Sequence, residues 1–360
     1  MMESREQEAL LKWYDANRRI LPWREDPAPY HVWLSEIMLQ QTRVEAVKGY
    51  YERFLAVLPD IPSLAQAEED VYLKLWEGLG YYSRVRNLHK AAQQVMEQYG
   101  GEMPRTAQEL RKLAGIGPYT AAAIASIAFG ERVPAVDGNL LRIFARRTAY
   151  GEDIKSPRAR KAAESFFAER FSDERPGEYN QALMDLGATV CLPGGAPHCE
   201  LCPWSSLCAA HEQKCETAYP VVAPKKARRI DDKTVFLIYY ADRLALAKRP
   251  AKGLLAGLYE FPNAAGWLTQ EEALDYVQEL GFSALQIRPL PEAKHIFSHR
   301  EWHMTGYEIR ADEWRPVPEK KEKTDVFLAS EEEMQEKYSI PSAFSYYVKE
   351  IRFGQPERSR

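Results

Sequence analysis

The strongest constraint in this sequence is a glycine turn between two helical patterns, followed closely by an aspartate in front of a third. These features lie in residues 113–142, LAGIGPYTAAAIASIAFGERVPAVDGNLLR. Gly115 and Gly117 permit backbone dihedrals that other residues avoid, and Pro118 suits the first position of the helix that follows. The N–H groups at such a helix start are free to bind a phosphate oxygen. The pattern therefore predicts a helical hairpin whose backbone is open to a ligand.

Two side chains beside this turn are expected to cap helices. Thr106 and Glu109 have the spacing of a capping box, which would open the short helix that ends at Gly115. Asp137 precedes the pattern GNLLR, where an aspartate is a favoured N-cap. Taken alone, a glycine turn between helices is more often a plain connection than a phosphate site, and these residues leave both interpretations open.

The composition is that of a protein with two or three domains. The 360 residues are 45% hydrophobic and 28% charged, which is ordinary for a globular chain. The first residues carry charges throughout and contain no apolar core of signal-peptide length, and no run of about twenty apolar residues exists. We therefore expect a cytoplasmic location of the bacterial, nucleoid-associated type and no membrane partner.

The net charge of -4 argues against a protein that coats DNA through bulk positive charge. A DNA-binding chain with this balance has to concentrate its cations locally. The candidates are Arg84, Arg86, Lys90, Arg142, Arg146 and Arg147. Charge alone does not exclude the alternative that these side chains lie on a solvated helix face and bind no DNA.

Four of the five cysteines are clustered near the middle of the chain. They are Cys191, Cys199, Cys202 and Cys208, separated by seven, two and five residues. Clustering in a chain without a signal sequence favours a metal site in a reducing compartment over disulfides. Two close pairs of cysteines can bind zinc tetrahedrally, so zinc is the first interpretation of this spacing. Cys215 is expected to be a free thiol.

After residue 230 the hydrophobic pattern changes from helical spacing to alternation. TVFLIYY and LALAKR predict a hairpin around residues 241–243, and KHIFSH with EWHMTGYEI predicts a second strand pair. Thr269 and Glu272 have capping-box spacing for a helix that ends before Gly281. This part is therefore an α+β domain, joined to the helical part by the proline-rich, basic connector 216–229.

Several phrases together resemble one family. LAGIGPYTA followed by VDGN resembles the helix-hairpin-helix-Gly-Pro-Asp glycosylases of the endonuclease III superfamily. WLSEIMLQQTRVEAV, LPWR and EGLGYYSRVRNLH resemble its adenine-DNA glycosylase branch, the MutY type. The strands and helix after residue 230 resemble the Nudix-like C-terminal domain of the same enzymes.

This resemblance implies the fold and its division into domains. We expect a mainly α catalytic region, 1–215, with a helix-hairpin-helix glycosylase fold, and a smaller α+β Nudix-like domain, 230–360. Within the first region, a six-helix barrel would cover about 30–136. A subdomain built from 1–29 and 137–215 would bind a [4Fe–4S] cluster through the four clustered cysteines. The family separates its first two cysteines by six residues, so this chain has one extra residue in that loop.

The resemblance also implies the activity and its residues. A monofunctional glycosylase would flip out adenine mispaired with 8-oxoguanine or guanine in double-stranded DNA, and hydrolyse its N-glycosidic bond in base excision repair. Glu36 would be the buried general acid, Asp137 would face the sugar, and Tyr119 would support it. The base pocket would contain Trp23, Arg24, Asn139 and Gln181, and the DNA contacts would involve Gln41, Thr42, Leu79, Tyr81, Gly115 and Gly117. Phe297, Ser298 and His299 would recognise 8-oxoguanine.

Two departures refine the expected activity. Bifunctional relatives have a lysine nucleophile at the position of Tyr119, and tyrosine cannot form a Schiff base. The stretch LDYVQELG lacks the glutamates of a working Nudix hydrolase and retains only Asp275 and Glu279 as acids, so this domain is expected to read DNA rather than hydrolyse a pyrophosphate. The alternatives are a thymine–guanine mismatch glycosylase and a lesion-binding protein without catalysis. We expect a monomer, with other repair proteins as further partners.

Overall fold

The structure of the protein is a computed structural model that describes residues 2–224, 227–316 and 325–353. Lys225 and Lys226 of the predicted connector lie outside the described residues, as do 317–324 and 354–360 of the predicted C-terminal domain.

The contacts divide the chain into two compact units. The first unit contains the residues up to Ala67 and those from Ser83 to the connector. The second contains Glu68–Tyr82 together with the residues after the connector. A short segment from the N-terminal half therefore belongs to the C-terminal unit, which the sequence patterns did not indicate.

Helices make up the regular structure of the described residues before the connector. They are α1 (Met2–Asn17), α2 (Pro22–Glu25), α3 (Pro29–Leu39), α4 (Val44–Val57), α5 (Ile61–Gln66), α6 (Glu69–Leu75), α7 (Ser83–Tyr99), α8 (Ala107–Leu110), α9 (Pro118–Phe129), α10 (Gly138–Thr148), α11 (Pro157–Glu169), α12 (Pro176–Thr189) and α13 (Ala209–Glu212). Short 3₁₀ turns lie at Cys199–Leu201, Ser205–Leu207 and Glu216–Ala218. Of these helices, α6 belongs to the second unit.

Helix α9 lies in the core of the first unit because it is apolar on almost every side. Its sequence PYTAAAIASIAF buries seven consecutive residues, 120–126, and both α3 and α12 pack against it. Gly117 is the N-cap, Pro118 is the first helical residue, and Gly130 ends the helix with a φ of 74°. The predicted turn and helix are confirmed, since glycine adopts this left-handed conformation without strain.

The capping box predicted before this hairpin is wrong in one half. The Thr106 hydroxyl accepts the Glu109 N–H, so Thr106 is the N-cap of α8. The Glu109 carboxylate instead accepts hydrogen bonds from Lys112 and Tyr99. A lysine one helical turn away offers a charge-assisted bond, which competes successfully with the neutral backbone N–H.

A second group of helices forms its own apolar core behind the end of α9. Residues of α1, α10, α11 and α12 pack together there with Trp204. Trp204 is 2% exposed and donates its indole N–H to the Glu6 carbonyl, so it connects the cysteine segment 191–208 to α1.

The second unit contains a mixed sheet with helices on both faces. Its strands among the described residues are β1 (Arg229–Tyr240), β2 (Arg243–Lys248), β3 (Tyr259–Glu260), β4 (Asn263–Ala265), β5 (Phe282–Ile296), β6 (Arg300–Trp314) and β7 (Val326–Ala329). The main order is β3-β2-β1-β6-β5; β4 also pairs with β1, and β7 pairs with β2. The β1–β6 pair is parallel, and the other pairs are antiparallel. The helices are α14 (Gln270–Glu279), α15 (Glu331–Glu336) and α16 (Ser345–Glu350), with a 3₁₀ turn at Ser342–Phe344.

The position of strand β1 in the sheet explains why its sequence contains an uninterrupted apolar run. Val235, Leu237 and Tyr239 belong to the apolar core on one face of the sheet, and Phe236 and Ile238 belong to the core on the other. Both faces are covered, so alternation of polar and apolar residues disappears at the centre of the strand. The predicted fold class, a mainly α region followed by an α+β domain, is confirmed. No helix in the described ranges is both long and apolar enough to cross a membrane.

We predict that Gly177→Ala destabilises the first unit. A Cβ on Gly177 would lie 2.8 Å from Ile127 Cα and 2.8 Å from Ser126 O, both of which are backbone atoms. Helix propensity alone favours alanine by about 1 kcal/mol, but overpacking typically costs about 1–3 kcal/mol. We therefore expect a lower free energy of unfolding, measured by urea denaturation.

Gly151→Ala is the matched control because a Cβ there meets no atom within 4 Å. Its free energy of unfolding should lie within about 0.5 kcal/mol of the native value. If the Gly177 variant were as stable as the native protein, the close contact between α12 and α9 would not exist in solution.

Candidate active site

The residues predicted to do chemistry surround a single cavity in the first unit. The cavity has a volume of about 210 Å³ and is lined by residues of α2, α3, α9, α10 and α12. The predicted catalytic and base-pocket residues all line it: Trp23, Arg24, Glu36, Tyr119, Asp137, Asn139 and Gln181. Thr42 lines the same cavity.

Glu36 is a buried acid at this cavity. It lies on α3 among apolar neighbours and is 6% exposed. Burial raises its pKa to about 7; the nearby Asp137 charge acts in the same direction, while the Tyr119 hydrogen bond and the Arg24 charge oppose the rise. A carboxyl with a pKa near neutrality can retain a proton and deliver it to a bound base, which is the property of a general acid.

Tyr119 bonds directly to this acid. Its hydroxyl donates to Glu36 Oε2 at 2.6 Å, and the Met184 sulfur lies 4.0 Å from the same hydroxyl. Burial raises the pKa of Tyr119 well above its ordinary value, so the phenol keeps its proton and remains a donor. Tyr119 therefore orients one oxygen of Glu36 and leaves the other available to the cavity.

Asp137 has a different set of partners. Its Oδ1 accepts the N–H groups of Asn139 and Leu140 at 2.8 Å and 2.9 Å, and its Oδ2 accepts the Asn139 side-chain amide at 2.9 Å. Burial raises the pKa of Asp137, and these donors with the Arg142 charge oppose the rise. The predicted N-cap is confirmed, and the same carboxylate lines the cavity.

Arg24 is held by a carboxylate that sequence reasoning missed. Asp185 is fully buried and accepts two hydrogen bonds from the Arg24 guanidinium, at 2.8 Å and 2.9 Å, and one from Arg19 Nε at 2.7 Å. Burial alone would raise the pKa of Asp185, but the two arginines hold it below its ordinary value. The signal was present in the sequence, since Asp185 interrupts an apolar stretch in the same way as Glu36.

The hairpin glycines differ in their surroundings. Gly115 has a φ of 72°, and a Cβ there would lie 2.5 Å from Asn87 Cβ. Gly117 is exposed, and a Cβ there would meet no atom within 4 Å. Gly115 is thus required by the fold, whereas Gly117 keeps the start of α9 uncovered by a side chain. This geometry is compatible with the predicted role in binding the DNA backbone.

Two of the residues predicted to enter the DNA stack have left-handed backbones. Gln41 has a φ of 58° and Tyr81 has a φ of 49°. Residues other than glycine rarely adopt this conformation, and such outliers concentrate at functional positions. Leu79, predicted for the same task, is 7% exposed, whereas Tyr81 is 48% exposed.

The predicted lesion-recognition residues form the turn between β5 and β6. The Phe297 ring packs against His295 and Trp302, and its N–H bonds to the Arg300 carbonyl. Ser298 and His299 are exposed at the tip. The Ser298 hydroxyl lies 3.0 Å from the Tyr81 hydroxyl, within the second unit.

The four clustered cysteines surround a small space next to α10. Cys191, Cys199, Cys202 and Cys208 line one pocket, and none of them forms a disulfide. Burial, together with neighbouring Glu216, raises the pKa of Cys199 to about 12, and burial raises that of Cys202 to about 11. Cys215 is also free, as predicted.

The spacing of the thiols is wider than that of a mononuclear site. Among the described residues, Cys199, His211 and Glu216 are the one group of three or more possible ligands whose atoms all lie within 4.8 Å of one another. No three of the four clustered sulfurs meet that limit. Tetrahedral zinc with bonds of about 2.3 Å needs sulfurs about 3.8 Å apart.

Four of the arginines named as candidates for DNA binding are buried and have hydrogen-bond partners within the first unit. Arg84 is buried and donates to the carbonyls of Ile37, Met38 and Gln40. The other three also have partners within the first unit: Arg142 bonds to the Cys191 and Gly187 carbonyls, Arg146 to the Leu192, Glu216 and Tyr219 carbonyls, and Arg147 to Glu6. Lys90 is exposed.

Comparison with known proteins identifies the family. Residues 34–169 match the HhH-GPD superfamily of base excision DNA repair proteins, and residues 234–350 match a NUDIX domain. The chain is 36% identical to an adenine DNA glycosylase of Mus musculus, over 84% of this chain and 70% of the relative. It is 36% identical to that of Homo sapiens over 86% and 67%, and 33% identical to that of Buchnera aphidicola over 81% and 82%. The chain belongs to the adenine DNA glycosylase family.

Solved structures agree with the helical fold of this glycosylase. A thermostable thymine-DNA glycosylase aligns with a TM-score of 0.54 and 28% identity, over 59% of this chain and 99% of that one. A non-covalent endonuclease III–DNA complex aligns with a TM-score of 0.50 and 19% identity, over 59% and 98%. The matches to the family model and to the curated relatives confirm the predicted superfamily, the DNA glycosylase class of enzyme and DNA as its partner, and the endonuclease III structure confirms the fold.

The family assignment also bears on the cysteines. Glycosylases with the endonuclease III fold usually bind an iron–sulfur cluster, and four thiols around one pocket fit such a group. The loop carbonyls around them are fixed by Arg142 and Arg146 of α10.

We predict that Glu36→Gln makes the protein more stable at neutral pH. The pKa of Glu36 is about 7 in the folded chain against 4.5 in the unfolded chain. As pH rises between these values the unfolded chain ionises first, so the native protein loses stability. The loss amounts to about 3 kcal/mol at about 1.4 kcal/mol per pH unit. Glutamine accepts the Tyr119 hydrogen bond without ionising.

The measurement is urea unfolding of both proteins between pH 5 and pH 8. The variant should gain stability relative to the native protein as pH rises through this range. Glu45→Gln serves as the control because its side chain is 82% exposed, so its difference from native should not change with pH. A constant difference for the Glu36 variant would contradict the raised pKa.

Proposed function

We propose that this protein removes adenine mispaired with 8-oxoguanine or guanine from double-stranded DNA. The observation that carries this proposal is the meeting of two carboxyls with different partners at one cavity: Glu36, which is buried and accepts the Tyr119 hydroxyl, and Asp137, which accepts N–H groups. The glycosidic bond of a stacked nucleotide is out of reach in a duplex, so the adenine has to flip into this cavity.

Glu36 acts as the general acid in this scheme. Its proton moves to a ring nitrogen of adenine, and the C1′–N9 bond then breaks with both electrons going to the base. Tyr119 donates to Glu36 Oε2 and therefore fixes the direction in which the carboxyl delivers its proton. Proton transfer from a positioned side chain typically contributes about 10²–10⁴-fold in rate.

Asp137 stabilises the positive charge that develops on the sugar. All of its hydrogen-bond partners are donors, an arrangement that favours the ionised carboxylate. Water then adds to C1′ and loses a proton, which leaves an abasic site. The two carboxyls therefore perform different tasks because their partners differ.

We propose that the reaction stops at base removal. The position that carries a nucleophilic lysine in bifunctional relatives is Tyr119, whose hydroxyl is already used as a donor to Glu36. A phenol cannot form the imine that strand cleavage requires. The abasic strand should remain intact, without an adduct that borohydride can trap.

The second unit supports recognition of 8-oxoguanine. This base differs from guanine by a carbonyl at C8 and a hydrogen on N7, and a serine hydroxyl can accept from N7–H or donate to an oxygen. Ser298 presents such a hydroxyl at an exposed turn, and Phe297 packing on Trp302 fixes that turn. Asp275 and Glu279 are both exposed on α14, and they are the only acids in the stretch LDYVQELG, where a working Nudix hydrolase needs a run of glutamates.

We also propose that the cysteines bind a [4Fe–4S] cluster. The support is the convergence of Cys191, Cys199, Cys202 and Cys208 and a sulfur spacing wider than mononuclear zinc allows. When bound, such a cluster supplies four iron–thiolate bonds that would hold the loop 191–208 in one shape.

The activity is tested by single-turnover excision on A:8-oxoguanine, A:G and T:G duplexes, followed by alkaline cleavage of abasic sites. The native protein should act on the first two. Glu36→Gln and Asp137→Asn should each lower the rate at least 10²-fold, an order expected for loss of a positioned acid or charge. Asparagine is as good an N-cap as aspartate, so Asp137→Asn should leave α10 and DNA binding intact.

Glu45→Gln, which changes an exposed carboxyl, should excise at the native rate. Efficient excision by either site variant would overturn the role given to that residue. Activity confined to T:G duplexes would replace the proposal with a thymine glycosylase.

The cluster is tested by iron, sulfide and zinc analysis of anaerobically purified protein. We expect about four irons and four sulfides per chain and broad absorption near 400 nm. Cys199→Ser should lose this absorption, whereas Cys215→Ser should retain it because Cys215 stands outside the pocket. Colourless protein with one zinc per chain would contradict the cluster.

A further inference from the structure

The segment Glu68–Tyr82 is the most unexpected feature of the chain. It lies between two helices of the first unit in sequence, yet it packs with residues of the second unit. It contains α6 and the phrase WEGLGYY, which includes Leu79 and Tyr81. The proposed function does not explain why these residues are carried by the C-terminal unit.

One end of the segment is anchored by a lysine and a glutamate. Glu77 Oε1 accepts the Ile340 N–H at 2.7 Å, and Glu77 Oε2 forms an ion pair with Lys74 Nζ at 2.7 Å. Lys74 Nζ also donates to the carbonyls of Met334 and Tyr338, at 3.2 Å and 3.4 Å. Both side chains are mostly buried, with 23% and 30% exposure.

A weaker contact supports the start of the same segment. The Tyr259 hydroxyl lies 3.4 Å from both Asp70 carboxylate oxygens, and Lys248 Nζ lies 4.0 Å from Asp70 Oδ1. The Tyr259 ring packs edge-on against Tyr338, which belongs to the loop that Lys74 contacts. The anchor is therefore built on the same few residues of the second unit.

The anchor directly precedes an unusual backbone. Gly78, Gly80 and Tyr81 have φ values of 97°, 70° and 49°. The Trp76 indole N–H donates to the Gly80 carbonyl at 3.1 Å, which closes this turn. Glycine tolerates these dihedrals, but Tyr81 must be held in its conformation by its surroundings.

Tyr81 itself reaches the turn that carries Ser298, since the two hydroxyls lie 3.0 Å apart. The segment is thus held at two places of the second unit: by Lys74 and Glu77 at residues 334–340, which are the end of α15 and the loop after it, and by Tyr81 at the β5–β6 turn.

We propose that Lys74 and Glu77 are positioning residues for lesion discrimination. By fixing the segment to loop 334–340, they set the place of Tyr81 beside Ser298, so that both hydroxyls meet the base opposite adenine together. This inference rests on the proposed function. It assigns to the pair a share of the preference for 8-oxoguanine over guanine, and no part in breaking the glycosidic bond.

The variants are Glu77→Ala, which removes the acceptor of the Ile340 N–H, and Lys74→Met, which keeps the apolar stem and removes the donor. Glu45→Ala and Lys48→Met are matched controls. They alter another lysine–glutamate pair three residues apart, with a 2.9 Å contact, on exposed helix α4. The native protein and the four variants are compared in single turnover on A:8-oxoguanine and A:G duplexes, which gives ten rates.

The readout is the ratio of the two excision rates, because a general loss of structure lowers both rates together. We expect the ratio to fall on the order of tenfold in Glu77→Ala, the scale of one hydrogen bond to a charged group. Lys74→Met should lower it in the same direction, and the controls should leave it unchanged. Hydrogen exchange of peptides 68–82 and 334–340 should become faster in both variants and stay native in the controls.

An unchanged ratio in Glu77→Ala would overturn this inference and leave the proposed function standing. An equal fall on both duplexes would also overturn it, because that result describes plain structural support. A native protein that excises adenine equally from both duplexes would overturn the proposed lesion preference, and this inference with it.

Discussion

Much of the first unit depends on the hydrogen bonds that Asp137 accepts at the start of α10. The cap begins the helix whose later residues, Arg142 and Arg146, bond to the carbonyls of the cysteine loop. Arg142 also donates to Asn139 Oδ1, and Asn139 donates to Asp137. A positively charged side chain of α10 is therefore linked through Asn139 to the N-cap of the same helix. Asp137, which faces the sugar in the proposed reaction, therefore also begins the helix that supports the cysteine loop. Catalytic and structural requirements act on one carboxylate.

Two buried carboxyls and one half-buried carboxyl in this unit show how hydrogen-bond partners shift a pKa. Asp185 faces two guanidinium groups, which lower its pKa in spite of burial. Glu36 has a single neutral hydroxyl donor, and burial prevails, so its pKa rises to about 7. Asp137 lies between these cases, with N–H donors opposing burial. Burial acts on all three carboxyls in the same direction, so the number and charge of their donors account for the differences between their pKa values.

The hairpin was predictable because its determinants are local. Gly117, Pro118 and Gly130 fix the ends of α9 through backbone conformation alone. The arginines of α10 were misjudged because a sequence gives their charge but not the carbonyls that fold back onto them from residues 187–219. Asp185 was missed for the same reason, since its role is to bind Arg24, which is distant in sequence. The proposed catalytic residues were named through the resemblance to a family, whereas composition and periodicity left their roles open.

The placement of Glu68–Tyr82 has a consequence for how the chain folds during synthesis. Lys74 bonds to the Met334 carbonyl across a sequence separation of 260 residues. Domains generally fold in order as they leave the ribosome, but this segment emerges long before the loop that completes its packing. During synthesis, Lys74 and Glu77 therefore remain without these hydrogen-bond partners until residues 334–340 have been made. The packing of this segment is completed only by residues close to the C-terminal end of the second unit.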